Sequence, residues 1–185
     1  MILNDLLAPT YRNLLTALSQ WLDKAVENAG GDAILSARLA DDMFPLATQI
    51  RFACVQALEG VSRSSGADLP DSVSTLLDEG RNAGEAPGTI RDAQARIRET
   101  LATVDSMVET QSGLEASAAI AHELPNGMIF DLTAEQYARD WAIPQFYFHL
   151  MAAYAILRGE GVPLGKIDYV AHMLPFLREG TAPQA

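Results

Sequence analysis

Three histidines (His122, His149 and His172) and a single cysteine, Cys54, are the side chains here best suited to hold a transition metal or to move a proton near neutral pH. Their spacing gives no His-x-x-x-His, no His-Glu-x-x-His and no Cys-His pairing, the arrangements that set two ligands on one helical face. His149 stands apart from the other two. It closes the aromatic-dense run Pro144-Gln145-Phe146-Tyr147-Phe148-His149, with Gln145 one turn earlier on the same helical face. A lone histidine in such a run most often hydrogen-bonds a neighbouring helix; the alternative is a ligand or a proton-transfer group. His122, on an alternating stretch expected to be an exposed strand, and His172, near the C-terminus, have weaker claims.

A second constellation runs Ser36 to Leu46, followed by Gln49. Arg38 and Asp42 are spaced for an ion pair that pins the start of a helix, with Asp42 compensating orphan N–H groups there. The alternative for Arg38 is an anion site at the helix N-terminus. Gln49 and Gln56 lie two turns apart, close to an apolar stripe, where polar groups need partners. His149, Tyr147 or a small ligand between helices would serve. Gly159, Gly161 and Gly165 follow a helix end, where glycine is the usual cap, and so do not read as a phosphate loop; Lys166 and Asp168 read as a local ion pair or cap.

These residues need elements to position them. Leu7, Tyr11, Leu14, Leu18, Leu22, Ala25 and Ala29 repeat every three or four positions, which predicts a first helix ended by Gly30 and Gly31. A second helix opens after Asp41 and Asp42, with Pro45 in its first turn, runs through Leu46, Ile50, Ala53, Cys54, Ala57, Leu58 and Val61, and stops at Ser64-Ser65-Gly66. Residues 67–88 predict a long crossover holding a short helix over Asp71 to Asn82. The third helix starts near an N-cap at Thr89 and continues through Ile90, Ala93, Ile97, Leu101, Val104 and Val108, with Asp92 and Arg96 spaced for an i, i+4 pair. From Ser117 to Thr133 the period becomes two, and Asn126-Gly127 between alternating runs predicts a hairpin. Thr133 and Gln136 form a capping box for a helix that Pro144 must break or kink before Gln145–Arg158 makes the last long helix.

Composition bounds what these helices serve. The chain has 185 residues, 13 Lys plus Arg against 24 Asp plus Glu, and a formal net charge of −11. Such a field repels phosphate backbones and anionic lipid, so neither nucleic acid nor a membrane is an expected partner. One cysteine, no basic N-terminal segment and no apolar run of membrane length predict a cytoplasmic protein.

Ala37-Arg38-Leu39, Asp42-Met43-Phe44-Pro45-Leu46 with Gln49, the hairpin, Pro144 with Phe146-Tyr147-Phe148-His149, Ala153-Tyr154 with Ile156-Leu157-Arg158, and the Gly161 to Tyr169 segment together resemble a bacterial family known as domain of unknown function 1993. That family looks like a branch of the DinB/YfiT-like superfamily of four-helix bundles. The resemblance covers Leu3 to about Tyr169. It implies an all-α four-helix bundle over residues 1–169, with a long crossover between helices two and three and a small β-hairpin before the last helix, then a partly flexible C-terminal extension over 170–185. Many superfamily members bind a divalent metal through one histidine on the second helix and two, one turn apart, on the last; some are thiol-dependent transferases or hydrolases. Here Gln49 and Gln56 occupy the second helix, and Gln145 stands one turn before His149.

The expectation is therefore a small-molecule- or partner-binding bundle, a homodimer, with a degenerate metal site between helices two and four and no cofactor. Its ligand-binding residues are expected to be Arg38, Asp42, Gln49, Gln145 and Tyr147. The alternative is an enzyme of the thiol-transferase or hydrolase kind, with catalytic His149 acting as base or as one ligand of zinc or nickel.

Overall fold

The apolar stripe of the first segment builds α1, Asn4–Asn28, and Leu7, Tyr11, Leu14, Leu18, Leu22 and Ala25 are all buried. Ala29 lies outside the residues described by this computed structural model, which are 3–28 and 30–181. After a 3₁₀ turn over Gly31–Ser36, the chain enters α2, Leu46–Ser65. Pro45 is extended and caps this helix from outside instead of lying in its first turn, so Asp41 and Asp42 fall in the preceding loop, fully on the surface. Gly66 closes α2 in the left-handed region at φ 66°, where a Cβ would be strained.

The crossover holds α3, Ser72–Asn82. It is fastened to α2 by the Thr48 hydroxyl, which donates to the Gly80 carbonyl at 2.7 Å, and Gly80 lets the Phe52 ring lie against its backbone. α4, Ile90–Thr110, begins with a full capping box between Thr89 and Asp92. That cap replaces the expected Asp92–Arg96 pair: the Asp92 carboxylate accepts from the Thr89 N–H and hydroxyl, while Arg96 turns to Glu79 of α3 and to Glu99.

Strands β1, Ala119–Glu123, and β2, Ile129–Thr133, pair antiparallel with His122 opposite Phe130. The capping box of Thr133 and Gln136 then starts a continuous helical path: α5, Ala134–Gln136, a π turn over Tyr137–Ala142, and α6, Ile143–Gly159. Pro144 does not break it. The Ile143 N–H bonds five residues back to Ala138, and this wider turn absorbs the hydrogen bond that a proline without an N–H cannot make. Beyond α6, the short α7, Lys166–Tyr169, returns to α1. Asp168 caps the Gly165 N–H, as one sequence reading had it, but its ion pair is with Lys24 of α1 at 2.6 Å and not with Lys166. The Trp21 indole N–H donates to the Asp168 carbonyl. The C-terminal extension continues as a 3₁₀ turn, Ala171–Phe176, and residues 182–185 lie outside the description.

The result is the expected four-helix bundle of α1, α2, α4 and α6, with α2 packed against the other three and against α3. Its core is centred on Tyr11, Trp21, Tyr137 and Phe146. Among the described residues, no helix is long and apolar enough to cross a membrane.

Leu18 and Ile97 are both fully buried, so Leu18→Ala or Ile97→Ala is expected to cost about 2–5 kcal/mol in urea denaturation. Gly60→Ala would put a methyl inside the Tyr11 hydroxyl and is expected to destabilise by about 1–3 kcal/mol despite its better helix propensity. Losses within surface-substitution range, about 0.5 kcal/mol, would contradict these core assignments.

Candidate functional site

Gln49 sits in the first turn of α2 with 2% of its surface exposed, so its amide must be satisfied inside the protein. Its nitrogen donates to the Phe44 carbonyl at 3.3 Å, which turns its oxygen toward α6. There the His149 Nδ1 lies 2.9 Å from Gln49 Oε1. An amide oxygen only accepts, so Nδ1 carries the proton, and Nε2 is left with a free lone pair. The His149 ring is half-buried and packs edge-on against Phe52 and Phe148 at 5.4 and 5.3 Å, with Phe44 touching Phe52 at 5.7 Å. Burial with no carboxylate partner pushes the imidazole pKa down to about 4. His149 is thus a neutral hydrogen-bond acceptor at pH 7, flanked by two phenyl rings, with Phe44 behind Phe52. Phe44 and Phe148 are exposed.

Gln145, one turn earlier on α6, is also half-buried. Tyr147 does not join the pair. Two residues along a helix turn a side chain about 200° away, so Tyr147 faces the Tyr169 hydroxyl and Phe146. The expected Arg38–Asp42 ion pair is absent as well. Arg38 donates instead to the Met43 carbonyl at 2.5 Å, because that carbonyl is held at the end of the loop leading into α2, and both Arg38 and Asp42 are on the surface. Of the residues singled out in the sequence, Gln49 and His149 meet, while Arg38 and Tyr147 have other partners.

It also underrated His122. The inner face of β1 carries Ile120 and His122 into the protein, where His122 is 3% exposed. The ring meets Tyr137 at 5.3 Å and Trp141 at 4.5 Å, and neither nitrogen has a hydrogen-bond partner. Burial, with Arg63 nearby, lowers its pKa. The alternation of Ile120, His122 and Leu124 was the available signal, since it puts His122 on the same face as two apolar residues.

The residues do not fit a metal. Where α2 meets α6 there is one imidazole, its Nδ1 engaged by Gln49, and neutral amides are weak donors to zinc or nickel. Among the described residues no three His, Cys, Asp or Glu side chains cluster to hold an ion. Cys54 offers no nucleophile either: it is fully buried, and burial pushes the thiol up to about 12.

Residues 3–170 match the model of a family described as "Domain of unknown function (DUF1993)". The fold is similar to the crystal structure of a DinB family member protein from Shewanella denitrificans, at 29% identity and a TM-score of 0.60, covering 98% of this chain and 96% of that one. No curated protein matches the chain.

Because the folded protein holds His149 neutral to about pH 4 and an unfolded chain titrates near 6.5, the unfolded state takes up a proton that the native state refuses. The stability contributed by the neutral ring is whole above pH 6.5 and declines as pH falls toward 4. The stability difference between the wild type and His149→Leu is therefore expected to be flat above pH 7 and to shrink on acidification; a pH-independent difference would contradict the assignment. Gln49→Leu leaves Nδ1 without its acceptor and is expected to cost about 1–3 kcal/mol.

Proposed function

This chain belongs to the DUF1993 family, and on that premise we propose that it is a small-molecule-binding bundle in which the superfamily's metal position has become an acceptor site for an uncharged ligand. The observation that carries this reading is the Gln49–His149 hydrogen bond, which fixes the imidazole as an Nδ1–H tautomer and leaves Nε2 as acceptor. Phe44, Phe52 and Phe148 supply aromatic surface beside it. A ligand with an aromatic body and a single hydroxyl or N–H donor matches both features.

The depressed pKa argues against the enzymatic alternative. A general base works best with a pKa near the operating pH, and an imidazole at about 4 is some three units too weak. A cytoplasmic setting belongs to the same proposal, supported by the single, buried cysteine. Pairing of two copies is supported by the exposed Met173, Leu174, Phe176 and Leu177 near the C-terminus, and sedimentation at micromolar concentration tests it.

Two measurements test the site. Protein purified without an affinity tag is expected to hold no stoichiometric zinc or nickel; one equivalent lost on His149→Ala would overturn the reading. Phenol, used as the probe, is expected to shift the His149 ring signals saturably, with affinity falling about tenfold or more in His149→Phe, the loss of one hydrogen bond in a semi-buried site. Equal binding by that variant would count against the acceptor role.

A further inference from the structure

One face of α2 carries four polar residues and a phenylalanine in line. Gln49, Phe52, Gln56, Glu59 and Arg63 recur at three- and four-residue steps, so the face that meets His149 at one end continues past Phe52 toward the hairpin. Beyond Phe52 lies a cavity of about 180 Å³ bounded by α2, α3, the hairpin turn and the π turn. Gln56, Glu59, His122, Glu123 and Trp141 line it.

The polar groups there are out of balance. Both nitrogens of His122 and the Gln56 Oε1 are buried without a hydrogen-bond partner, as is the Tyr137 hydroxyl beside His122. Buried polar groups in natural proteins are nearly always satisfied, so three orphan atoms on two lining residues, with a fourth beside them on Tyr137, need a reason. The backbone is irregular at the same place. Tyr137 and Trp141, the two aromatic residues against His122, both come from the π turn, a device often found where helices build sites.

Chemistry selects the ligand. The Gln56 amide oxygen, the Glu59 and Glu123 carboxylates and one His122 nitrogen all accept hydrogen bonds, and the Trp141 ring offers a π face. The lining cation, Arg81, is half-exposed and turned to Asp78. Burial raises the Glu59 carboxyl's pKa, and the positive charge of Arg63 nearby works against that rise. The Glu59 and Glu123 carboxyls are matched in charge by Arg81 in the lining and by Arg63 close to His122, so it is hydrogen-bond acceptors that predominate in the cavity. An engineered apolar cavity of about 150 Å³ takes up benzene, so this one is large enough for a compact molecule of that size with a polar group attached.

We infer that the cavity between α2, α3, the hairpin and the π turn is a second binding site, for a small organic amine whose ammonium is held by Glu59, Gln56 and His122 beside Trp141. It stands independently of the phenyl-flanked His149 site, since Phe52 separates the two and each has its own reporter histidine. A residue kept for binding leaves a mark on stability. His122 makes no hydrogen bond within the protein, so replacing it by phenylalanine removes two unsatisfied atoms while keeping the ring's packing.

The test uses the full chain with benzylamine as probe and benzyl alcohol and benzoate as matched neutral and anionic controls. Benzylamine is expected to shift the His122 ring and Trp141 indole signals saturably in the millimolar range, leaving His149 unmoved, with the two controls at least tenfold weaker. Glu59→Gln, which keeps the side chain's shape, is expected to lose tenfold or more in benzylamine affinity at an unchanged Tm. His122→Phe is expected to match or exceed the wild-type Tm and to lose binding. Absence of saturable benzylamine binding, which would mean the orphan atoms are served by ordered water only, overturns the proposal. So does equal binding of benzyl alcohol, or a His122→Phe variant that is less stable and still binds.

Discussion

Burial of a helix that is not wholly apolar governs this structure. α2 touches every other helix of the bundle, yet it carries Thr48, Gln49, Arg51 and Ser62 in the interior. Each leaves water on folding and must find a partner, or costs stability. Thr48 fixes α3 through the Gly80 carbonyl, Gln49 fixes α6 through His149, and Ser62 turns back to its own helix at Leu58. Arg51 is met from three directions: the Ala47 carbonyl of its own helix, the Pro87 carbonyl in the crossover and the Glu79 carboxylate on α3. Apolar burial supplies most of the attraction between the helices, and these bonds choose the arrangement. The crossover follows its course because an arginine and a threonine of α2 need acceptors along it.

The candidate site is one consequence of that constraint. Had α2 carried a histidine at position 49, the space facing His149 would hold two imidazoles competing for a proton or a metal. A glutamine there gives a bond of defined direction, with one nitrogen of His149 used and the other free. The same burial that makes the ring a good acceptor makes it a poor base. The likeness to a DinB family member is one of fold, and a shared fold does not carry its chemistry with it.

Much of the fold was legible because its signals are local. The α1 stripe, the Thr89 and Thr133 caps, the left-handed glycine after α2 and the Asn-Gly hairpin are each set by residues within a few positions of one another. The ion pairs were misread for the same reason. Spacing favours Asp92–Arg96 and Arg38–Asp42, and Lys166 and Asp168 are simply close in sequence, but a local surface pair contributes only about 0.5 kcal/mol and yields to any better partner. Glu79 and Lys24, far off in sequence, and the Met43 carbonyl, five residues on from Arg38, are such partners, and none is announced by a motif. The π turn was hidden too. Pro144 signalled that the helix could not continue unchanged, without saying whether it would stop or widen. That widening presents Tyr137 and Trp141 to His122, so the strand's alternation gave the face on which His122 lies but not the rings that cover it.

The acceptor role of His149 rests on one protonation state. A long-range nitrogen–proton correlation spectrum of the His149 ring, recorded from pH 7.5 down to pH 4, observes it directly. The structure predicts a neutral ring protonated on Nδ1 at pH 7, persisting until the pH approaches about 4. A ring protonated on Nε2 at neutral pH, or one that titrates near its ordinary 6.5, would contradict both the Gln49 hydrogen bond and the acceptor site built on it.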